Sequence, residues 1–548
     1  MKKICIHSFQ KEDQIRILSF FKKVFSENNR ILDTTLKDAD LLDVYSHYCL
    51  NNGFFWCLTA DEKIIGTIGL RKLEDCYEIR RFFILKKYQN KGYGNKLLLK
   101  TLHYAFYHQL SSLRMATLKD GLVIRHLAEK YGFVMTQKYN NSSADLFWFL
   151  KITDEAVFKY SLDELNRHLK SHLVLNPTEN FPNYETYNTH LLEGLYVSER
   201  HKQQEDIVIF GGRSEAIDLY NIIKTIWKRA LHAEAVDIKT HSGLNAHLIL
   251  FLCLAKRGDK VLLLPEEAGG HFSTETMLKR IGMQILHFAV DNVNLCIDVP
   301  KTEKLIRDEQ PNFIFVDRSE GLIYEDFSWV SKYTNAIKIF DASQYLSQII
   351  SGYYPNPLEN GFDYLLSSLH KNYPGPQKSI IATAKENKQW YEFMQDTKTF
   401  ISNTHPEAIF KSVIPLIDQQ KFNEYAKKSI DYCLKLELAL QHAGLPVVQR
   451  MKDKLPTPHI WILPKTQEKT YALFSKLEEV GINVNYRKLP YQLGFGLRLG
   501  LHAAIMQGLK EKHLDKLASI IKEINESEEI SPSLKNKTQR FLHSFIAK

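Results

Sequence analysis

The stretch FDYLLSSLHKNYPGP, residues 362–376, carries the reading of the fold. A short apolar run ends in Ser-Ser-Leu-His-Lys, and Pro374 and Pro376 then break the chain. An apolar run bounded by turn residues reads as a buried strand, and proline cannot continue its ladder. Lys371 therefore falls at the end of a buried strand, beside hydroxyls and His370. That setting suits an amine that does chemistry better than one that only faces water. Upstream, AIKIFDASQ ends a second run of this kind at Asp341.

Working outward, KVLLLP, QILHFAV, NFIFVD, AIKIFD and DYLLSS alternate with helical patterns from about residue 206. Strands separated by helices imply βαβ units and a mainly parallel sheet. After residue 415 the style changes. The helix pattern QQKFNEYAKKSIDYCLKLELALQHAG precedes strands HIWILP and INVNYR, which reads as a smaller α+β lobe. Residues 1–150 form another α/β unit: the helix KEDQIRILSFFKKVFS, strands FFWCLTA, KIIGTIGL and YEIRRFFIL, a helix from about Asn95, and a closing strand near ADLFWFLKI. The expected divisions are 1–152, a helical segment 153–205, a large domain 206–412 and a small domain 413–548.

The 548 residues supply enough material for several domains, with 44% hydrophobic and 25% charged residues. A net charge of +9 over this length favours anionic ligands but is a poor footprint for nucleic acid. The 7 cysteines form no CxxC pair and no metal spacing, so they read as reduced thiols of a cytoplasmic protein without a metal. The start MKKICIHSFQ has no apolar signal core, and LILFLCLA is too short to span a membrane.

In a parallel sheet, Asp341 and Lys371 both lie at strand C-terminal ends, where open α/β sheets bind ligands. A buried carboxylate needs a cationic partner, and a protonated pyridine nitrogen is one. With a lysine Schiff base this is the constellation of pyridoxal phosphate. THSGLNAHLILFLCLA places Ser242-Gly243 before an apolar helix, a phosphate site by the helix-terminus argument. EEAGGHFSTE puts His271 after two glycines, where an imidazole could stack on a ring.

The ordered series LNPTENF, GG at 211–212, HSG, GGH, DASQ, HK and GLRLG resembles serine hydroxymethyltransferase, of the type I pyridoxal-phosphate fold, over roughly residues 170–540. The resemblance implies Lys371 as the Schiff-base lysine and Asp341 as the pyridinium partner. It implies His271 on the ring, and Ser242, Gly243 and Ser368 around the phosphate, with His370 preceding the lysine. It puts Ser319 near the cofactor 3′-oxygen, Arg498 on the substrate α-carboxylate and Thr178 at a substrate contact. The Tyr-x-Glu segment is blurred, with Tyr196 and Glu199 as candidates and Glu199 as the acid–base group. A homodimer is implied as well. The sequence also departs from the family. Gln344 replaces a histidine, Leu244 a phosphate-side serine and Phe210 a tyrosine. A glycine-rich stretch after the lysine is missing, and Glu266 enters an apolar folate pocket. These departures leave pyridoxal chemistry intact and count against tetrahydrofolate.

At the other end, YEIRRFFILKKYQNKGYGNKLLLK places a glycine turn between a strand and a helix. Free amides at such a turn suit an anion. This stretch resembles the acetyl-CoA pyrophosphate loop of the GNAT N-acetyltransferases, and LAEKYGFV resembles their downstream helix-turn-strand. The resemblance covers about residues 1–150. It implies acetyl-CoA held by the amides of Gln89, Asn90, Lys91, Gly92, Tyr93, Gly94 and Asn95. Glu78 stands where such strands carry a base, or else it pairs with Arg80. The tyrosine that serves as general acid is replaced by Ala128, with Tyr131 either a substitute or packing.

Together these readings predict a bifunctional enzyme: aldol or retro-aldol chemistry at Cα of an amino acid, joined to N-acetylation of an amine. The alternative is another type I reaction, transamination or racemisation, with an acetyl-CoA-binding regulatory module.

Overall fold

The computed structural model describes residues 4–50, 52–73, 76–119, 121–140, 142–153, 156–157, 160, 172–178, 180, 214–401 and 405–546. The chain divides into two compact units, Met1–Lys170 and Ser171–Lys548.

In the first unit the strands are β1 (Ile4–Ser8), β2 (Phe54–Ala60), β3 (Lys63–Lys72), β4 (Tyr77–Ile84), β5 (Ser112–Thr117), β6 (Val134–Met135) and β7 (Leu146–Lys151). They form a 7-stranded sheet in the order β1-β2-β3-β4-β5-β7-β6. The aromatic and β-branched runs of β2 and β3 are buried almost end to end, and helices Asp13–Glu27 and Tyr93–Tyr107 both pack on β3. Only β4 and β5 run parallel, and they pair only over Tyr77–Ile79.

Past Arg80 the register of β4 on β3 shifts, and Arg81 takes φ 52° at the irregularity. A bulge bends the strand and re-aims its side chains. Here it turns Arg81 inward, where its guanidinium pairs with Asp38 at 2.6 Å and with Asp40. Tyr48 donates to Asp40 at 2.6 Å. Burial pushes the Asp40 carboxyl up, but Arg81 and Tyr48 hold it below the usual carboxylate range.

The second unit contains β8 (Leu173–Val174), β9 (Ala235–Asp237), β10 (Lys260–Leu263), β11 (Gln284–His287), the small hairpin β12 (Val290–Asp291) and β13 (Cys296–Ile297), β14 (Phe313–Val316), β15 (Ile337–Asp341), β16 (Tyr364–Ser368) and β17 (Ser379–Thr383). The large sheet has 7 strands in the order β11-β10-β14-β15-β16-β17-β9. Pairings from β11 to β16 are parallel, whereas β17 is antiparallel to both neighbours. The apolar runs of the sequence are these parallel strands, and each strand feeds two cores by alternation. Ile314 and Leu365 point into one core with Trp227, while Phe315 and Leu366 point into the other with Leu250 and Phe251.

The C-terminal lobe adds β18 (His459–Ile462), β19 (Ile482–Asn483), β20 (Asn485–Leu489) and β21 (Gly494–Gly500). Its 3-stranded antiparallel sheet, ordered β18-β21-β20, packs in one core with helices Gln419–His442, Gln467–Val480 and Leu514–Glu526. INVNYR reads as a single strand in the sequence. In the structure it divides at buried Val484, because β19 pairs with β8 while β20 pairs with β21. The last helix, Pro532–His543, buries Leu534 and Leu542 in the lobe core.

Replacing Arg81 by Met leaves two mostly buried carboxylates without their cation. Breaking a buried pair in this way costs about 3–5 kcal/mol. Denaturant unfolding should show that loss in the N-terminal unit, with the C-terminal transition unmoved.

Candidate functional site

The C-terminal ends of β14, β15 and β16 bring together the residues that the sequence singled out in the second unit. Asp341 closes β15 and is 8% exposed. Its Oδ2 lies 2.7 Å from His247 Nε2, and its Oδ1 accepts the Ser343 amide at 2.7 Å. Burial alone would push this carboxyl up. The hydrogen bond and charge of His247, with the charge of Lys371, bring it down to about 2. His247 reaches Asp341 from the apolar helix Gly243–Leu254 and is itself 1% exposed.

Lys371 follows β16 by three residues, in the turn that ends at the prolines. Burial lowers its ammonium pKa; nearby Asp341 opposes the shift, and Arg498 adds to it. The Lys371 carbonyl accepts from Asn180 at 2.8 Å. His370 is pushed down to about 4 by burial and by Lys371. The His271 ring stands edge-on to that of His247, with centroids 5.9 Å apart, and its Nδ1 is 2.9 Å from Ser273 Oγ. Burial, then His247 and Lys371, push it down to about 4 as well.

Ser242 caps the helix Gly243–Leu254, accepting the Asn245 amide at 3.2 Å. A Cβ on Gly243 would sit 3.5 Å from both Ser343 Oγ and Ser368 Cβ, so this helix start lies directly against the β16 end. Ser368 Oγ is buried there without a hydrogen-bond partner.

Two turns are locked together on the far side. Gly269 has φ 85°, and a Cβ there would stand 2.1 Å from the Glu320 carbonyl oxygen. Its own carbonyl accepts the amides of Ser319 at 2.8 Å and Glu320 at 3.1 Å. Only glycine permits both the left-handed backbone and this approach. Ser319 is thereby fixed, and its carbonyl accepts from Arg498 Nη1 at 3.1 Å. Arg498, on β21, is 1% exposed, and burial pulls its pKa down to about 10.

Thr178 belongs to the segment after β8 that crosses the end of β21, where the Gly500 amide donates to Leu175 O at 2.7 Å. The Thr178 hydroxyl donates to Asn176 Oδ1 at 2.9 Å. Glu199 and Tyr196 lie outside the described residues, as do Phe210 and the GG pair at 211–212.

Several contributors were not evident in the sequence. Gln344 stands where a histidine was expected, yet His459 from β18 brings its Nε2 within 3.1 Å of Gln344 Oε1. A titratable ring is thus supplied from the other lobe, and burial drives its pKa well below the ordinary value. Glu320 and Arg487 also enter this corner, 2.5 Å apart. The alternation of HIWILP, with His459 and Trp461 on one face, was the available signal for His459. Nothing local marks Arg487, which reads as an exposed strand residue.

In the first unit, Gly92 with φ 79° starts the helix Tyr93–Tyr107. The opening amides of a helix have no intrahelical partner, and those of Gly94 and Asn95 stand at this helix start, where an anion is favoured. Asn90 takes φ 59°, and Gln89 Nε2 donates to Ile84 O at 2.9 Å, tying the turn to β4. Lys91 lies with its Nζ 5.5 Å from the Tyr88 ring centroid. Asn95 Oδ1 accepts from Lys130 at 2.6 Å.

Glu78 is 2% exposed. It accepts from Tyr139 at 2.9 Å and Asn140 at 2.7 Å, and both Arg71 and Arg80 stand 3.4 Å away. Both carboxylate oxygens are thus engaged, in a wider network than an Arg80 pair alone. Ala128 is fully buried, and Tyr131, 2% exposed, packs in the core against Tyr160. Also in this unit, His7, Asp13 and Cys57 bring potential metal-ligand atoms within 4.8 Å of one another. Asp13 is already engaged there by Arg16 at 3.1 Å and the Gln10 amide at 2.9 Å.

A family model for serine hydroxymethyltransferase matches residues 150–521. The chain belongs to the serine hydroxymethyltransferase family. A model of the acetyltransferase (GNAT) family matches residues 21–133, so this family member carries an N-terminal GNAT domain. The serine hydroxymethyltransferase of Pyrobaculum islandicum is 27% identical over 327 residues, covering 58% of this chain and 76% of that one. That of Sulfolobus acidocaldarius is 24% identical over 351 residues, 62% of this chain and 81% of its own. The crystal structure of L-threonine transaldolase from Pseudomonas fluorescens superposes with a TM-score of 0.65 at 22% identity, covering 71% of this chain and 91% of that chain. At that identity the likeness speaks for the fold, an α/β type I pyridoxal-phosphate architecture.

The serine hydroxymethyltransferase fold implies pyridoxal phosphate, and the GNAT domain implies acetyl-CoA binding. The side chains present fit the first of these. An ionised buried carboxylate, a buried lysine of lowered pKa and an orphaned Ser368 hydroxyl beside a helix start are what a pyridinium, an imine carbon and a phosphate would each satisfy.

The imidazoles of His271 and His370 ionise near 6.5 in the unfolded chain and at about 4 when folded. As pH falls through that window the unfolded state gains protons that the folded state does not, so their stabilising contribution is lost. Denaturant midpoints measured across the window should therefore decline less steeply toward acid in a His370→Asn variant than in the wild type.

Proposed function

We propose that the C-terminal unit is a pyridoxal-phosphate enzyme that makes or breaks a carbon–carbon bond at Cα of an amino acid, by aldol or retro-aldol chemistry. The observation that carries this reading is the convergence of Lys371, ionised Asp341 and His271 with a buried arginine, Arg498. In this reading Lys371 holds the cofactor covalently, Asp341 pairs with its ring nitrogen and His271 covers its face. Ser242, Gly243, Ser368 and His370 surround its phosphate, and Ser319 lies by its 3′-oxygen. When bound, the cofactor supplies an electron sink for the bond being broken at Cα.

The protein's own groups select that bond. Arg498 takes the α-carboxylate through its planar fork, which fixes the rotation about Cα. Thr178 adds a contact to the substrate. Lys371 Nζ, its proton affinity lowered by burial, gives up a proton more readily than a solvent-exposed lysine. Glu199 is carried as the group that handles the substrate hydroxyl proton. The names of the relatives, serine hydroxymethyltransferase and L-threonine transaldolase, lend support to bond cleavage beside Cα. Glu266, 3-10 helical in front of Gly269 and His271, weighs against tetrahydrofolate, since an acid there disfavours an anionic folate tail. A cytoplasmic homodimer fits the free cysteines and the family, and no helix of the described residues is long and apolar enough to cross a membrane.

For the N-terminal domain we propose acetyl-CoA binding at residues 89–95 and transfer of its acetyl group to an amine, that of the amino acid handled by the C-terminal unit, with Glu78 as the base. One observation favours a second reading, a domain that binds acetyl-CoA as a regulatory module while the other unit runs a different type I reaction. Glu78 has both oxygens occupied, and the usual tyrosine is Ala128.

Two experiments divide these readings. Lys371→Ala should lose the visible absorbance of lysine-bound cofactor and all aldehyde release from L-threonine; a colourless wild type that takes up no cofactor would overturn the first reading. Thiol release from acetyl-CoA with a panel of amino acids should exceed the amine-free background and fall at least tenfold in Glu78→Gln, as loss of a general base does. Acetyl-CoA binding without thiol release would establish the module instead.

A further inference from the structure

Arg487 and Arg498 are diagonal neighbours on one face of the β20–β21 pair. In the register, Asn485 stands opposite Arg498 and Arg487 opposite Gly496, so the two arginine side chains leave the same side of the sheet. Two guanidiniums placed so close repel one another, and burial adds to the cost for Arg498, 1% exposed. The charge is offset by Glu320, a 1% exposed carboxylate that comes from the turn locked onto Gly269 in the large domain.

Glu320 does not share itself equally. Its Oε1 is 2.5 Å from Arg487 Nη1 and 3.9 Å from Arg498 Nη1. Its Oε2 is buried without a hydrogen-bond partner, as is Nε of Arg498. Arg498 is instead anchored by a neutral acceptor, the Ser319 carbonyl at 3.1 Å. The guanidinium is therefore held by a hydrogen bond to a carbonyl, with its carboxylate counter-ion set back at 3.9 Å. An isolated Glu320 would have every electrostatic reason to close the gap to Arg498.

We infer that Arg487 is a positioning residue that holds Glu320 off Arg498 and so keeps the Arg498 guanidinium open to the α-carboxylate of an amino acid. This rests on the reading of Arg498 given above, and deepens it: the carboxylate site is set by a three-residue charge arrangement spanning two lobes. Without Arg487, Glu320 becomes an internal competitor for the same cation. Without both, the competition disappears.

The test uses the full-length protein loaded with pyridoxal phosphate, and reads glycine affinity from the change in the cofactor's spectrum, alongside cofactor affinity itself. Arg487→Gln should weaken glycine binding about tenfold or more while cofactor affinity changes less than about twofold, and adding Glu320→Gln should restore glycine binding to within about threefold of wild type. A merely structural Arg487 would not be rescued by a second substitution. Arg487→Lys, which keeps the cation, should bind glycine like the wild type. Should Arg487→Gln fail to fold, Glu320→Gln alone still decides: it should bind glycine as well as the wild type or better, and a tenfold loss would overturn the inference. So would a double variant no better than Arg487→Gln. Arg498→Gln separates the two levels. If it leaves glycine binding intact, the carboxylate role of Arg498 fails; if it abolishes binding while Arg487→Gln does not, only the inference about Arg487 fails.

Discussion

Asp341 has to remain charged while almost out of water, and much of the C-terminal unit is arranged to allow it. Desolvation of a carboxylate costs several kcal/mol unless donors and cations replace the lost water. The donors here are a ring nitrogen of His247 and the Ser343 amide, and the cation is Lys371. Each comes from a different element. An otherwise apolar helix must deliver an imidazole to one oxygen, the chain must turn immediately after β15 to offer an amide to the other, and β16 must run parallel beside it so that its end carries the lysine. A parallel sheet with covered faces is the arrangement that puts those ends together.

Around that charge stands a second layer held by backbone rather than by side chains. The Gly269 turn and the Ser319–Glu320 turn approach each other more closely than a Cβ would allow. One contact therefore fixes the turn that leads into His271, the position of Ser319 and that of Glu320. The other lobe is registered against this turn through Arg498 and Arg487.

What was legible in the sequence follows from this construction. Lys371, Asp341, His271 and Ser242 each sit where a short apolar run or helix meets a turn, so local pattern marked their places, while their order along the chain carried the reading. The parallel strands were visible for the same reason, as unbroken apolar runs. Glu320, Arg487, His247 and His459 were not legible, because each gains its meaning from a partner far along the chain: Glu320 from β20, His459 from Gln344, His247 from β15. A charged residue in a strand or turn has the same local signature whether it faces solvent or a second charge. The division of INVNYR escaped for a related reason, since the pairing of each half is decided by strands hundreds of residues apart in one case and adjacent in the other. In the first unit, the glycine turn before the helix at Tyr93 was legible, whereas the full engagement of Glu78 depends on Tyr139 and Asn140, which no local pattern links to it.

The pairing of β8 with β19 has a bearing on how this protein comes into being. Leu173 and Leu175 are fully buried among side chains contributed by the last part of the chain. During synthesis those residues emerge before the whole of the large domain, whereas the described residues that cover them follow it in the chain. The lobe that carries Arg498 is consequently completed last, from the two ends of its unit. Such a closure of distant segments is slow compared with local contacts. Arg498 is thus among the later parts of this unit to find its place, after the strand ends that carry Asp341 and Lys371.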